Sequence, residues 1–161
     1  MRDYDDEEEY EGGEEKRPSF KGFLAQNAKR VEYREVVISD RFVGDDGKPL
    51  AFKIRPVSDT ENEAIKDSCI EIKQGNRAAR RSKQKASANF RMDQYHAAIC
   101  AAGTVEPDLN NPELQNSYGA ASAEELIGLM LLAGEGQDLY DEIMDLSGFV
   151  NDSELVEDAK N

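Results

Sequence analysis

Apolar and polar residues alternate on both sides of a glycine-containing turn in the first third of the chain. In residues 31–43, Val36, Ile38 and Phe42 fall on one face, with Asp40 breaking the pattern, and the alternation resumes from Leu50 to Ile54. Residues 44–47 (GDDG) separate the two runs, and the Asp-Gly pair within them is a strong hairpin signal. The pattern predicts a β-hairpin at about 33–56. Because a lone hairpin is marginally stable in water, its apolar face must pack on the segments that follow.

A helical spacing of apolar residues replaces the alternation after Pro56. Ser58 and Glu61 form a capping-box pattern, which predicts a helix from there to about Lys73. Its predicted inward face consists of Ile65, Cys69 and Ile72. A second helix is predicted from about Met92 to Ala102, with Tyr95, Ile99 and Ala102 on one face. Before the hairpin, Phe20, Phe23 and Leu24 have the spacing of a short amphipathic turn or helix.

The last third of the chain contains four further helix signals and a break before them. Residues 105–108 (VEPD) are predicted as the break, and Asn111-Pro112 as an N-cap followed by proline at the first helical position, with an end by Gly119. A second capping box at Ser122 precedes an apolar helix at 126–133.

Two glycines and one apolar stripe define the rest of this third. Gly134 and Gly136 are expected to separate the apolar helix from the next one. That next helix has Leu139, Ile143 and Leu146 on one face, and a last short helix is predicted at 153–159. The fold class predicted from all these signals is α+β, predominantly helical with an N-terminal β-hairpin.

Charge divides the 161 residues into three blocks and modifies this picture at both ends. Residues 1–16 carry a net charge of −7, residues 17–91 carry +7, and residues 92–161 carry −14. Like-charge blocks repel themselves, so residues 1–18 are predicted to be a disordered acidic tail. The expected domain is 19–161, with helices at about 58–160. The acid–base–acid layout makes nucleic acid an unlikely partner of the whole chain.

Candidate chemistry in the sequence is weak. His96 and Cys100 are four residues apart on a predicted helix, as a nucleophile and base would need, but no orienting third group is evident. The basic stretch 77–91 is most simply a polar loop, with an acidic partner as the second interpretation and nucleic acid as the third. No phosphate loop or metal-ligand motif occurs. The sequence predicts no enzyme activity, no cofactor and no metal, and its apolar runs are too short for a membrane span.

The order of several short segments resembles the XkdN-like tail assembly chaperones of phages and prophages of Gram-positive bacteria. The likeness covers about residues 20–161, and it lies in the number and order of the segments rather than in one motif. These segments are 23–28 (FLAQNA), 41–43 (RFV), 54–58 (IRPVS), 67–69 (DSC), 104–110 (TVEPDLN), 113–119 (ELQNSYG) and 123–126 (AEEL). The acidic tail departs from the family's usual start.

The resemblance implies a non-catalytic assembly factor. Such proteins bind the tape measure protein while tail tube subunits polymerise around it, and many have a longer form made by ribosomal frameshifting. The implied partners are therefore the tape measure protein, the tail tube protein and a longer form of this chain, with an oligomer also open. The implied location is the host bacterial cytoplasm, with the protein absent from the mature virion.

Apolar residues of the last third are the candidate contact residues for such a partner. A surface that binds an apolar helix needs apolar side chains, and methionine lets it adapt. Most of these residues can equally be core, with a minority exposed for contact. The candidate set is Leu126, Leu129, Met130, Leu132, Leu139, Tyr140, Ile143 and Met144.

Two other functions remain open from the residues. An acidic inhibitor or DNA mimic would use the carboxylates at Asp138, Glu142 and Asp145 together with the acidic tail, although the basic middle block argues against it. A small structural tail-completion protein would instead be found in purified virions.

Overall fold

The structure of this chain is a computed structural model that describes residues 20–73 and 87–149. The predicted disordered tail at 1–18, the basic stretch before Ser87, and the predicted helix at 153–159 lie outside the described residues. Of the described residues, 20–30 belong to one unit, and 31–73 and 87–149 belong to another. None of the helices in the described ranges is both long and apolar enough to span a bilayer.

The first unit contains the short turn that the sequence predicts. Phe20–Phe23 is a 3₁₀-helix, and a hydrogen-bonded turn follows it. The Asn27 side-chain amide donates to the Lys21 carbonyl oxygen at 2.7 Å, which closes this turn.

The hairpin is present, although its strands are shorter than the alternation predicts. Strand β1 (Arg34–Val36) pairs antiparallel with β2 (Phe52–Ile54), and Val43 and Pro49 form a single bridge nearer the turn. Gly47 has a φ of 75°, which glycine adopts without steric cost. A third strand, β5 (Thr104–Glu106), pairs with the other edge of β2. The prediction of a simple break at 105–108 is therefore wrong.

Helix α1 (Asp59–Ser68) begins as predicted and ends earlier than predicted. Ser58 accepts a hydrogen bond from the Glu61 N–H, and the Glu61 carboxylate accepts one from the Ser58 N–H. The chain leaves the helix at Cys69 and continues as strand β3 (Ile70–Lys73), which pairs with β4 (Ser87–Phe90). The prediction of a helix to Lys73 is wrong, and Ile72 is 66% exposed rather than part of an inward face.

Up to Phe149, four helices follow the antiparallel pair of β3 and β4, which we call the second ribbon. They are α2 (Met92–Gly103), α3 (Pro112–Tyr118), α4 (Ala123–Met130) and α5 (Ala133–Leu146). Asn111 caps α3 with Pro112 at its first position, and Gly119 ends it with a φ of 72°, as predicted. Helix α4 ends at Met130, so the predicted helix at 126–133 is too long. Gly134 and Gly136 lie inside α5 rather than between two helices.

Helix α2 is the centre of the second unit. It contacts α1, α4, α5 and β5, and its residues Tyr95, Ile99 and Cys100 are buried. The predicted stripe of α5 also faces inward, since Leu139 and Ile143 are fully buried. The fold is α+β, as predicted, with small antiparallel sheets against a helical layer.

Helices α2 and α5 approach closely at Gly103. A Cβ atom added at Gly103 would lie 2.6 to 2.8 Å from three side-chain carbons of Ile143. Such a distance is below ordinary van der Waals contact, so a larger residue at position 103 would displace the Ile143 side chain. The Gly103 carbonyl oxygen also accepts a hydrogen bond of 2.8 Å from the Arg55 N–H, which joins the helical layer to the end of β2.

We expect Gly103→Ala to lower the free energy of unfolding by about 1–3 kcal/mol, because the added methyl group overpacks the contact with Ile143. Gly128→Ala is the matched control, since nothing lies within 4 Å of its added Cβ in α4. That variant should be stabilised by about 0.5–1 kcal/mol. Urea unfolding measures both. Equal effects of the two substitutions would contradict the close approach of α2 and α5.

Candidate protein-binding groove

An apolar groove of about 300 Å³ opens between the hairpin and the helices α3 and α4. Five separate stretches of the chain contribute its walls, and one lining residue, Glu106, is charged. The residues that line it are Phe42, Leu50, Ala51, Phe52, Glu106, Pro107, Leu114, Tyr118 and Met130. We call this surface the apolar groove.

The hairpin supplies one wall of the apolar groove. The Leu50 N–H donates to the Phe42 carbonyl oxygen at 2.7 Å, which holds the two sides of the hairpin together below the turn. The rings of Phe42 and Phe52 lie 6.2 Å apart in a tilted arrangement. Phe52 is buried beneath, whereas Leu50 is 52% exposed at the rim. Such an exposed leucine beside a cavity is available for contact with another molecule.

Helix α3 and the end of α4 supply the opposite wall. Leu114 and Tyr118 are four residues apart, so they lie on the same face of α3. The Asn111 side chain fixes the start of this helix by accepting from the N–H groups of Glu113 and Leu114. Met130, the last residue of α4, is buried at the base of the groove. Its flexible thioether can adapt to the shape of a bound side chain.

Arg41 joins the two walls. Its guanidinium donates to the Met130 carbonyl oxygen at 3.0 Å and forms a two-point ion pair with the Glu135 carboxylate. Glu135 also accepts a hydrogen bond from the Leu132 N–H at 2.8 Å, which caps the start of α5. The Arg41 guanidinium and these hydrogen bonds hold the pKa of Glu135 at about 2. We call this set of contacts the Arg41 clamp.

The structure places the eight candidate contact residues in two classes. Leu129 is 51% and Leu132 is 60% exposed, and they flank the corner between α4 and α5. The other six lie in or against the core. Four of these are buried and two are half-buried: Leu126, Met130, Leu139 and Ile143, then Tyr140 and Met144.

The sequence did not identify most of the apolar groove. Met130 is the member of the candidate set that lines it. Leu50 was assigned to a strand and Tyr118 to the end of a short helix. The available signal was their position, because both are large apolar residues next to a turn residue, Pro49 and Gly119 respectively. An apolar side chain beside a turn is often left at the surface.

The cysteine and histidine of α2 do not form a reactive pair. Cys100 is 2% exposed, and its thiol donates to the Gly136 carbonyl oxygen at 3.8 Å. Burial raises the pKa of this thiol to about 12, so it stays protonated and a poor nucleophile at neutral pH. The His96 ring instead stacks on Tyr140 with 4.0 Å between ring centroids. Within residues 20–73 and 87–149, no three acidic, histidine or cysteine residues are grouped as a metal would require.

Comparisons with known proteins agree with this architecture. The model of the family described as phage XkdN-like tail assembly chaperone protein matches residues 20–160. Among solved structures, the crystal structure of the protein yqbn is similar to this chain with a TM-score of 0.65 and 19% identity. That alignment covers 82% of this chain and 98% of that chain, and it concerns the fold alone. No curated protein sequence matches.

We expect Leu129→Asp to leave the protein folded and Leu126→Asp to unfold it. Half of the Leu129 side chain is in water, whereas Leu126 is fully buried, so aspartate there would be an unpaired charge in the core. The expected loss at Leu126 exceeds about 3 kcal/mol. Circular dichroism with thermal unfolding distinguishes the two variants. Unfolding by Leu129→Asp would show that this residue belongs to the core.

We expect the stability of the protein to fall with acidification below pH 4.5. The ion pair with Arg55 and the hydrogen bonds at Ser58 hold the pKa of Glu61 at about 2, and the Arg41 clamp does the same for Glu135. Both pKa values lie below those of the unfolded chain. The stabilisation is therefore complete above pH 4.5 and is lost as the pH falls toward 2.

Urea unfolding at pH 7, 4.5 and 3 measures this dependence, with Glu61→Gln and Glu135→Gln as comparison variants. Each variant should show a smaller loss between pH 4.5 and 3 than the unmodified protein. If neither substitution changes the slope of the free energy of unfolding against pH, the acid sensitivity comes from other carboxylates.

Proposed function

This chain belongs to the phage XkdN-like tail assembly chaperone family, and we propose that it binds the tape measure protein through the apolar groove while the tail tube forms. Its role in phage tail assembly follows from the family. The observation that carries the finer proposal is the apolar groove itself, with exposed leucines beside it and at the α4–α5 corner.

A long helical protein is the kind of partner that this groove fits. A tape measure is rich in apolar surface and would aggregate if that surface remained in water. Helices commonly bind by laying one apolar face into a hydrophobic groove. Leu50 at the rim and Met130 at the base would contact such a face. The walls of the groove are held by hydrogen bonds and ion pairs, so the surface is preformed.

The net charge of −14 suits the same role. A strong net charge keeps a protein soluble and would make complexes coated with it repel one another. We propose, as the family resemblance implies, that the protein acts in the host bacterial cytoplasm as an assembly factor that is absent from the mature virion. The tail tube protein, a longer frameshifted form and a second copy remain further proposed partners.

The acidic face of α5 gives less support to a DNA mimic. Arg34 donates to Glu142 at 2.9 Å and to Asp145 at 2.8 Å, so two of the carboxylates that a mimic would present are already paired. These hydrogen bonds raise the pKa of the Arg34 guanidinium further above its usual range, so it remains charged. The family likewise indicates a non-enzymatic role.

We expect Leu50→Asp to abolish capture of the tape measure protein while the protein remains folded. A charge at the rim would have to be desolvated when an apolar helix enters the groove. Val37→Asp is the control, because Val37 is 55% exposed but does not line the groove. The measurement is a pull-down from phage-producing cells, with mass spectrometry of the eluate and of purified virions.

Three results would contradict the proposal in different ways. Equal loss with both variants would place the contact outside the groove. Recovery of this chain from virions in stoichiometric amount would make it a structural component. Recovery of a host nuclease or polymerase in place of tail proteins would favour an acidic inhibitor.

A further inference from the structure

The apolar groove does not end at Pro107 and Leu114. On the other side of these two residues lies a second depression of about 390 Å³. It shares Pro107 and Leu114 with the groove, so the two depressions are adjacent. Its remaining lining residues are polar or acidic: Asp108, Asn111, Glu113 and Ser117.

Two acidic groups on this side, Asp108 and Glu113, belong to no ion pair among the described residues. From Met92 to Phe149 the chain contains eleven acidic residues and no lysine or arginine. Asp108 and Glu113 are exposed, and Glu106 at the junction has a side chain that is 67% exposed. Asp108 accepts a hydrogen bond from the Asn110 N–H, but this contact brings no positive charge. The surface beyond Pro107 therefore presents two exposed carboxylates that no described base pairs with.

Two positive groups on the hairpin side, those of Lys53 and Arg41, are already engaged. Lys53 pairs with Glu106 at 3.5 Å and lies over the Tyr33 ring. Arg41 is held by Met130 and Glu135 in the Arg41 clamp. Neither the Lys53 ammonium group nor the Arg41 guanidinium group forms an ion pair with Asp108 or Glu113.

We propose that the groove recognises a cationic amphipathic helix, which places a large apolar side chain between Leu50 and Tyr118 and a lysine or arginine beside Asp108 and Glu113. The inference rests on the proposed function for the identity of the partner and adds its chemistry. On a helix, residues three or four apart lie on one face, so an apolar residue and a base at that spacing can reach both halves of the surface. An acidic or neutral helix of the same apolar content would leave these carboxylates unpaired.

The probe is a fluorescein-labelled helical peptide of about 18 residues with leucines on one face and lysines elsewhere. Its matched peptide has glutamate in place of every lysine, and a third has alanine in place of the leucines. Binding to the full chain is measured by fluorescence anisotropy in 150 mM salt, where charges more than about 8 Å away are largely screened. The lysine peptide should bind at least about tenfold more tightly than either of the others.

A pair of double variants locates the contact. Asp108→Asn with Glu113→Gln removes two charges beside the groove and keeps the side-chain shapes and the hydrogen bond to Asn110. Glu124→Gln with Asp138→Asn removes two charges that do not line it. We expect about a fivefold loss of peptide affinity in the first double variant and less than about twofold in the second.

Three peptide results would overturn the inference. They are equal binding of the lysine and glutamate peptides, equal losses in the two double variants, and unchanged binding of the lysine peptide by Leu50→Asp. The last result would show that binding of the peptide depends on the net charge of the protein alone and not on the apolar groove.

The same double variants in the pull-down separate this inference from the proposed function. If the tape measure protein is captured equally well by the Asp108→Asn, Glu113→Gln variant, the proposed function stands and the cationic helix is wrong. If the peptides behave as expected but the unmodified protein does not capture the tape measure protein, the groove's preference for a cationic helix stands. The natural partner is then a protein other than the tape measure protein.

Discussion

The contact between Gly103 and Ile143 is the constraint on which the rest of this structure depends. Helices α2 and α5 approach so closely there that a Cβ atom at position 103 would overlap the Ile143 side chain. The Gly103 carbonyl oxygen holds β2 through the Arg55 N–H, and one turn beyond Ile143 the Ser147 hydroxyl oxygen accepts from the Val57 N–H at 2.9 Å. These two hydrogen bonds attach the end of β2 to α2 and to the end of α5, close to the contact between Gly103 and Ile143. The position of the hairpin, and so of one wall of the groove, follows from this attachment.

Features with a local physical cause could be predicted from the sequence. Ser58 and Glu61 satisfy each other's backbone N–H groups, so the start of α1 is visible in four residues. Asn111 followed by Pro112 determines the start of α3 in the same way. The stripe of Leu139 and Ile143 needed only the helical period. The antiparallel pair of β3 and β4 had a weaker local signal. Ile70 and Ile72 fit the period of a strand, but Ile65, Cys69 and Ile72 fit the period of a helix equally well.

Features with a distant cause could not be predicted. Strand β5 is a strand because its residues pair with β2, about fifty positions earlier. Gly134 and Gly136 remain helical because Glu135 caps the start of α5, where it is held by Arg41 from the hairpin connection. The candidate groove belongs to this class. Phe42, Pro107 and Met130 each look like core or turn residues, and only the folded chain brings them to one surface.

The Arg41 clamp also bears on the kinetics of association. Because one side chain bonds both the end of α4 and the start of α5, the hairpin connection and the helix corner keep a fixed spacing before any ligand arrives. Little chain entropy then remains to be lost when a partner enters, and preorganisation of this kind contributes to affinity without adding a contact. Loss of the Arg41 hydrogen bonds would let the two walls of the groove move apart. We expect this loss to shorten the lifetime of the complex more than it slows the rate of association.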